Sequence, residues 1–216
     1  MIKGLIFDLD GTLLDTIADL GNSVNKALSD FNCPTHSLEA YKLKVGHGFR
    51  NLIEVSAPEN TDVQTIDKLL ERFVYHYDKA YTENTVPYPG IVEVLEALQK
   101  MGIKLAVNSN KREDYTRNLI KLNFPNIEFV DVIGQRSDKA KKPDPWGAHE
   151  IAREMGLNFD EILYVGDSNT DMQTAKNAKM KSIGVDWGFR GSKELVETGA
   201  SYIAYKTSDI LDIIKK

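Results

Sequence analysis

The stretch Gly4-Leu5-Ile6-Phe7-Asp8-Leu9-Asp10-Gly11-Thr12 decides the architecture. An apolar run that ends in two aspartates and then Gly-Thr reads as a buried parallel strand running out into a tight turn. In an open α/β sheet, ligands bind in the crevice at the carboxyl ends of the strands. Asp8 and Asp10 are therefore expected at the mouth of a site, with Leu9 turned away between them because strand side chains alternate. Taken alone, these residues read equally well as an acidic surface turn, and the rest of the chain has to separate the two.

Beyond Thr12 the apolar period changes from two to that of a helix, through Ile17, Leu20, Val24, Ala27, Leu28 and Phe31. Asp15 or Thr16 is placed to cap this helix, and Pro34 is expected to end it. Ser37 opens a short helix leading into Val45-Gly46-His47-Gly48-Phe49-Arg50, and a long amphipathic helix follows with Ile66, Leu69, Leu70, Phe73, Val74, Tyr77 and Tyr81. No strand is expected between Thr16 and Glu83. Val86-Pro87-Tyr88-Pro89-Gly90 is a stiff break, because proline fixes φ and restricts the residue before it.

From there strands and helices alternate. Strands are expected at 103–107, 129–133, 162–165 and 182–185, with helices between them and a final helix-strand-helix. Such alternation predicts an α/β fold, a Rossmann-like parallel sheet with helices on both faces. One strand cannot form a sheet, so the first must pair with strands arriving some ninety residues later. The all-helical block is thus an insertion: residues 1–15 and 87–216 form the core, and residues 16–86 a separate helical domain.

Composition narrows the classes of function. The chain has 216 residues, 42% hydrophobic and 27% charged, with a formal net charge of -5 and no dense Lys/Arg run, so a nucleic-acid footprint is not expected. Cys33 is the only cysteine, and His36, His47, His76 and His149 show no zinc-ligand spacing. The first strand lacks the length and flanks of a signal peptide, and no apolar run approaches the ~20 residues that span a bilayer. A cytoplasmic protein without membrane or nucleic-acid partners is the expectation, as a monomer or homodimer.

Three strand ends carry similar equipment: Asp8 and Asp10, then Ser109-Asn110-Lys111, then Gly166-Asp167-Ser168-Asn169-Thr170-Asp171. A further loop supplies Lys142 before Pro143. Parallel strands bring all of these to one sheet edge. Like carboxylates about 4 Å apart repel by ~1 kcal/mol in water and ~4 kcal/mol at an effective dielectric of 20, so a cation is needed there. An all-oxygen set suits a hard ion, and Mg²⁺ commonly binds a few carboxylates plus water and substrate phosphate. Lys142, the Ser109 hydroxyl and the turn N–H groups are fitted to hold phosphate oxygens, with a carboxylate to attack the phosphorus. A small phosphorylated metabolite is the expected substrate.

These segments resemble the four motifs of the haloacid dehalogenase superfamily of phosphatases, in the subgroup with a helical, C1-type cap inserted after the first strand. The motifs are Asp8-Leu9-Asp10-Gly11-Thr12, Ser109-Asn110-Lys111, Lys142-Pro143 and Gly166-Asp167-Ser168-x-x-Asp171, in order along nearly the whole chain. The resemblance implies that Asp8 is the nucleophile forming an aspartyl-phosphate and that Asp10 is the general acid and base. It implies phosphate binding by Ser109, Asn110 and Lys142, Mg²⁺ held by the Asp8 carboxylate, the Asp10 main-chain carbonyl and Asp167, and support from Asp171 and Thr12. The presence of Asp10 argues against dehalogenation. Leu13-Leu14-Asp15-Thr16 and Ala175-Lys176-Asn177-Ala178 are most similar to the phosphoglycolate phosphatase branch. Sugar-phosphate phosphatases, pyrophosphatases and β-phosphoglucomutases share most of these residues.

In the helical insertion, Gly46 and Gly48 let backbone approach a ligand and Arg50 can grip a carboxylate. Cap residues of this kind reach the site in similar phosphatases, so Gly48, His47 and Arg50 are the expected substrate contacts. A plain helix-helix turn with Arg50 in solvent is the alternative. Trp146 and Trp187 read as packing residues.

Overall fold

The protein is described here by a computed structural model, over residues 1–215. Two compact units are present, one made of residues 1–14 with the chain from 87 onward, the other of residues 15–86. In chain order, β1 (Gly4–Phe7) and β2 (Leu14–Asp15) lead into four helices: α1 (Ile17–Asp30), α2 (Leu38–Lys42), α3 (Phe49–Glu54) and α4 (Val63–Ala80). The chain returns through β3 (Val86–Pro87) to α5 (Ile91–Lys100), β4 (Lys104–Arg112), α6 (Glu113–Asn123), β5 (Phe129–Gln135) and α7 (Trp146–Met155). It closes with β6 (Ile162–Gly166), α8 (Asn169–Asn177), β7 (Lys181–Val185), α9 (Ser192–Glu197), β8 (Tyr202–Ala204) and α10 (Asp209–Ile213).

The sheet runs β5-β4-β1-β6-β7-β8. Neighbouring strands pair in parallel, and β1 lies between β4 and β6, with Phe7 opposite Val107 on one side and Val165 on the other. That central place explains why all four residues of β1 are buried: a strand covered on both faces cannot alternate with polar residues. Ile6, Ala106, Ile162 and Tyr164 share one face, where Ala148, Ile151, Ala152 and Met155 of α7 and Ala175 and Ala178 of α8 cover them. Among the described residues no helix is long and apolar enough to cross a membrane.

Two elements depart from the sequence reading. Helix α1 stops at Asp30, four residues before Pro34. Asn32 takes a left-handed φ of 54°, while its N–H and that of Cys33 bond to the carbonyls of Ser29 and Leu28, which is the Schellman closure. Strand β4 does not end at Val107 but runs to Arg112, through the whole Ser109-Asn110-Lys111 motif. Its register against β5 shifts between Asn108 and Arg112. Hydropathy marks an end at Asn108 because the side chains turn polar there, yet Asn108, Ser109, Asn110 and Lys111 are all buried.

In the helical unit Ile17, Leu20, Val24 and Leu28 of α1 and Ile66, Leu69, Phe73 and Tyr77 of α4 are buried. Phe49 sets its ring edge-on to Phe73 and Tyr77, at centroid distances of 4.9 and 5.4 Å. Asp19 of α1 is buried and fully used. It accepts from the Asn84 N–H at 3.0 Å and side-chain amide at 2.8 Å, and from the Thr85 N–H and hydroxyl at 2.8 Å each. Removing it strands the buried Thr85 N–H and hydroxyl, each worth about 1–3 kcal/mol. Asp19→Ala should therefore lower stability to urea by roughly 2–4 kcal/mol, with Asp19→Asn losing less. A loss under 1 kcal/mol would mean that water replaces the carboxylate.

Candidate active site

The C-terminal ends of β1 and β6, with the loop after β5, bring Asp8, Asp167, Asp171 and Lys142 together. Asp8 follows β1 directly, its N–H donating to Val165 at 2.9 Å, so the strand ladder itself positions the carboxylate. Lys142 Nζ sits 2.7 Å from Asp8 Oδ1 and 2.7 Å from Asp171 Oδ1, and its side chain is only 3% exposed. Asp171 serves twice. Its other oxygen accepts from the Ser168 N–H at 3.1 Å and hydroxyl at 2.6 Å, the capping box that starts α8. Asp8, Asp167 and Asp171 each bring one carboxylate oxygen to within 4.8 Å of the others, and all three are buried.

Asp167 is gripped from a segment the sequence reading passed over. The Phe189 N–H donates to Asp167 Oδ2 at 2.7 Å. A Cβ on Gly188 would lie 2.2 Å from the Asp167 Cβ, and one on Gly11 2.3 Å from Asp167 Oδ2. Gly11 also takes φ +86°, a conformation L side chains rarely adopt. Both glycines are thus required by the close approach of backbone to this carboxylate. Trp187, read as a packing residue, donates its indole N–H to the Thr12 carbonyl at 3.1 Å. The signal available was Trp187-Gly188-Phe189 directly beyond the strand ending at Val185, one more strand end on the same edge.

The remaining predicted residues fall as follows. Ser109 is buried with its hydroxyl accepting from the Lys111 N–H at 3.1 Å. Asn110, expected to bind phosphate, has its side-chain amide on the main chain of Lys142. It accepts from the Lys142 N–H at 2.9 Å and donates to the Lys142 carbonyl at 3.1 Å. Asp10 is paired with Lys111, which the motif contains but to which no role was attached. Thr12 is buried.

The helical unit carries the remaining expected residues. Arg50 is exposed and pairs with Glu54 at 3.3 Å and with Asp67. Its guanidinium thus lies between two carboxylates of the helical unit. Gly46 and Gly48 do take positive φ, at 126° and 85°, and His47 between them is exposed.

Burial pushes the Asp8 carboxyl up to about 7, against the pull of Lys142 and with a further push from Asp171. Asp167 lies well above the usual carboxylate range for the same reason, burial first and then the Asp171 and Asp8 charges. Burial works against the Lys142 ammonium, but Asp171 and Asp8 outweigh it and hold the group well above the usual lysine range. One ammonium does not balance three buried carboxylates. The donors are all oxygens, without imidazole or thiolate, and this set fits a hard divalent cation.

The comparisons agree with this geometry. The chain matches the haloacid dehalogenase-like hydrolase model over residues 5–185 and belongs to that family. It is 36% identical over 188 residues to the phosphoglycolate phosphatase of Mesorhizobium japonicum, covering 86% of this chain and 83% of that protein. Against the phosphoglycolate phosphatase of Mannheimia succiniciproducens it is 32% identical over 216 residues, 96% of each. A crystal structure from Lactobacillus delbrueckii subsp. bulgaricus superposes with a TM-score of 0.92 at 31% identity, over 98% of each chain.

The raised Asp8 carboxyl has a measurable consequence. Because its folded-state pKa exceeds the unfolded value, the folded state binds the extra proton, and this stability is complete below about pH 4 and lost as pH rises through about 7. Asp8→Asn removes that dependence. In chelating buffer the variant should gain on the wild type between pH 4.5 and 8, by roughly 1–4 kcal/mol in urea unfolding. A stability difference that stays constant with pH would show that burial does not raise this carboxyl.

Proposed function

We propose that the chain is a Mg²⁺-dependent phosphoglycolate phosphatase that works through an aspartyl-phosphate on Asp8. The observation that carries the reading is the buried Lys142 ammonium shared by Asp8 and Asp171 at 2.7 Å each, beside Asp167. The activity named for the curated relatives, at 36% and 32% identity over most of the chain, supports the substrate.

In this reading Asp8 attacks phosphorus, the bond from phosphorus to the ester oxygen breaks, and that oxygen takes a proton from Asp10. Water then attacks the phosphorus of the aspartyl-phosphate and gives a proton back to Asp10. Phosphate leaves and the Asp8 carboxylate returns. Lys142 and the Ser109 hydroxyl hold the phosphoryl oxygens, and Asn110 holds the Lys142 main chain in register. Asp8, the Asp10 carbonyl and Asp167 would hold Mg²⁺, which supplies charge neutralisation at the phosphoryl oxygens. Asp171 keeps Lys142 charged and Thr12 supports the turn. Residues 1–15 and 87–216 act as the catalytic core, and residues 16–86 as the cap.

The test is phosphate release from a panel of 2-phosphoglycolate, hexose phosphates and pyrophosphate. We expect 2-phosphoglycolate to show the highest kcat/KM, EDTA to abolish turnover, and Mg²⁺ but not Ca²⁺ to restore it, since Ca²⁺ prefers a larger and looser oxygen shell. Asp8→Asn should lose several orders of magnitude. Substantial turnover by that variant would overturn the covalent route, and a hexose phosphate heading the panel would overturn the substrate.

A further inference from the structure

Among the described residues, Lys111 is a buried cation near the site with no part in the proposed reaction. Its side chain is 0% exposed, and Nζ lies 2.8 and 3.0 Å from the two oxygens of Asp10, whose side chain is 13% exposed. The two residues are 101 positions apart in sequence but sit at the ends of neighbouring strands, β1 and β4. The Lys111 main chain is fixed at both ends: its N–H donates to Ser109 Oγ at 3.1 Å, and its carbonyl accepts from the Thr116 hydroxyl at 3.1 Å. The register shift of β4 falls over this segment, the kind of irregularity that re-aims a side chain next to a site.

We propose that Lys111 is the positioning residue for Asp10, holding its carboxyl group toward the ester oxygen through both proton transfers. The inference rests on the role of Asp10 proposed above. A carboxylate offers about four lone-pair directions. An ammonium bonded to both oxygens occupies two of these and therefore removes the freedom of Asp10 to rotate. In the first half-reaction Asp10 gives its proton to the leaving alkoxide and becomes a carboxylate facing Lys111. In the second half it takes a proton from the attacking water, while the bond between phosphorus and the Asp8 oxygen breaks. Proton transfer by a positioned group contributes about 10²- to 10⁴-fold, and geometry is its first requirement.

The leaving group separates this role from a merely structural one. A nitrophenolate departs without a proton, so forming the aspartyl-phosphate from 4-nitrophenyl phosphate does not need Asp10, whereas hydrolysing it does. In Lys111→Met, rapid mixing should show a nitrophenol burst followed by slow turnover, with the ratio of turnover to burst rate constants at least tenfold below the wild type. Turnover of an alkyl phosphate such as 2-phosphoglycolate should fall about tenfold to a hundredfold. Lys111→Arg should restore most of the ratio. In an Asp10→Asn background, Lys111→Met should add less than about twofold, and this double variant leaves no unpaired buried carboxylate that could prevent folding. Equal loss of burst and turnover, additive losses in the double variant, or faster turnover in Lys111→Met would each overturn the assignment. Asp8→Asn is the separate control: a burst that persists there overturns the covalent reading itself, whatever Lys111 does.

Discussion

A single ammonium held between carboxylates organises this active edge. Lys142 reaches Asp8 and Asp171 at 2.7 Å each while almost wholly buried. An unpaired charge in such a place is prohibitive, and breaking a buried pair by removing one partner costs about 3–5 kcal/mol. The surrounding structure is accordingly committed to keeping these groups together. Asn110 holds the Lys142 main chain on both sides, Ser168 holds Asp171, and the Phe189 N–H holds Asp167. Each of these contacts leaves one side chain in one orientation, which is what phosphoryl transfer asks of a protein.

The parallel sheet makes this possible because it ends all its strands on one edge. β1 lies in the middle, so Asp8 emerges with β4 on one side and β6 on the other, and their next residues become its neighbours. The same placement sets two charge systems side by side. Asp8 and Asp171 share Lys142 with Asp167 beside them, whereas Asp10 pairs with Lys111.

The helical unit follows different rules. It is an insertion with its own apolar faces along α1 and α4 and its own buried anchor at Asp19. At its Gly46–Arg50 turn, Arg50 pairs with Glu54 of α3 and Asp67 of α4.

Much of this was legible in the sequence by itself. The run into Asp8 and Asp10, the change of period after Thr12 and the later alternation determine an α/β core interrupted by helices. They do so because hydrophobic periodicity is set locally, by which face of each element must be buried. The residues that meet at the site were legible for a related reason: parallel strands have only one carboxyl edge. What tertiary structure alone decided was the partnership of charges. Whether Lys111 faces Asp10, whether Asn110 faces ligand or the Lys142 main chain, and whether Arg50 is already neutralised depend on residues far apart in the chain. The extension of β4 through polar residues belongs here too, since buried polar side chains in a strand read as a turn until their partners are known. Local pattern reports what a side chain avoids, water or oil; which opposite charge lies 3 Å away is a property of the fold.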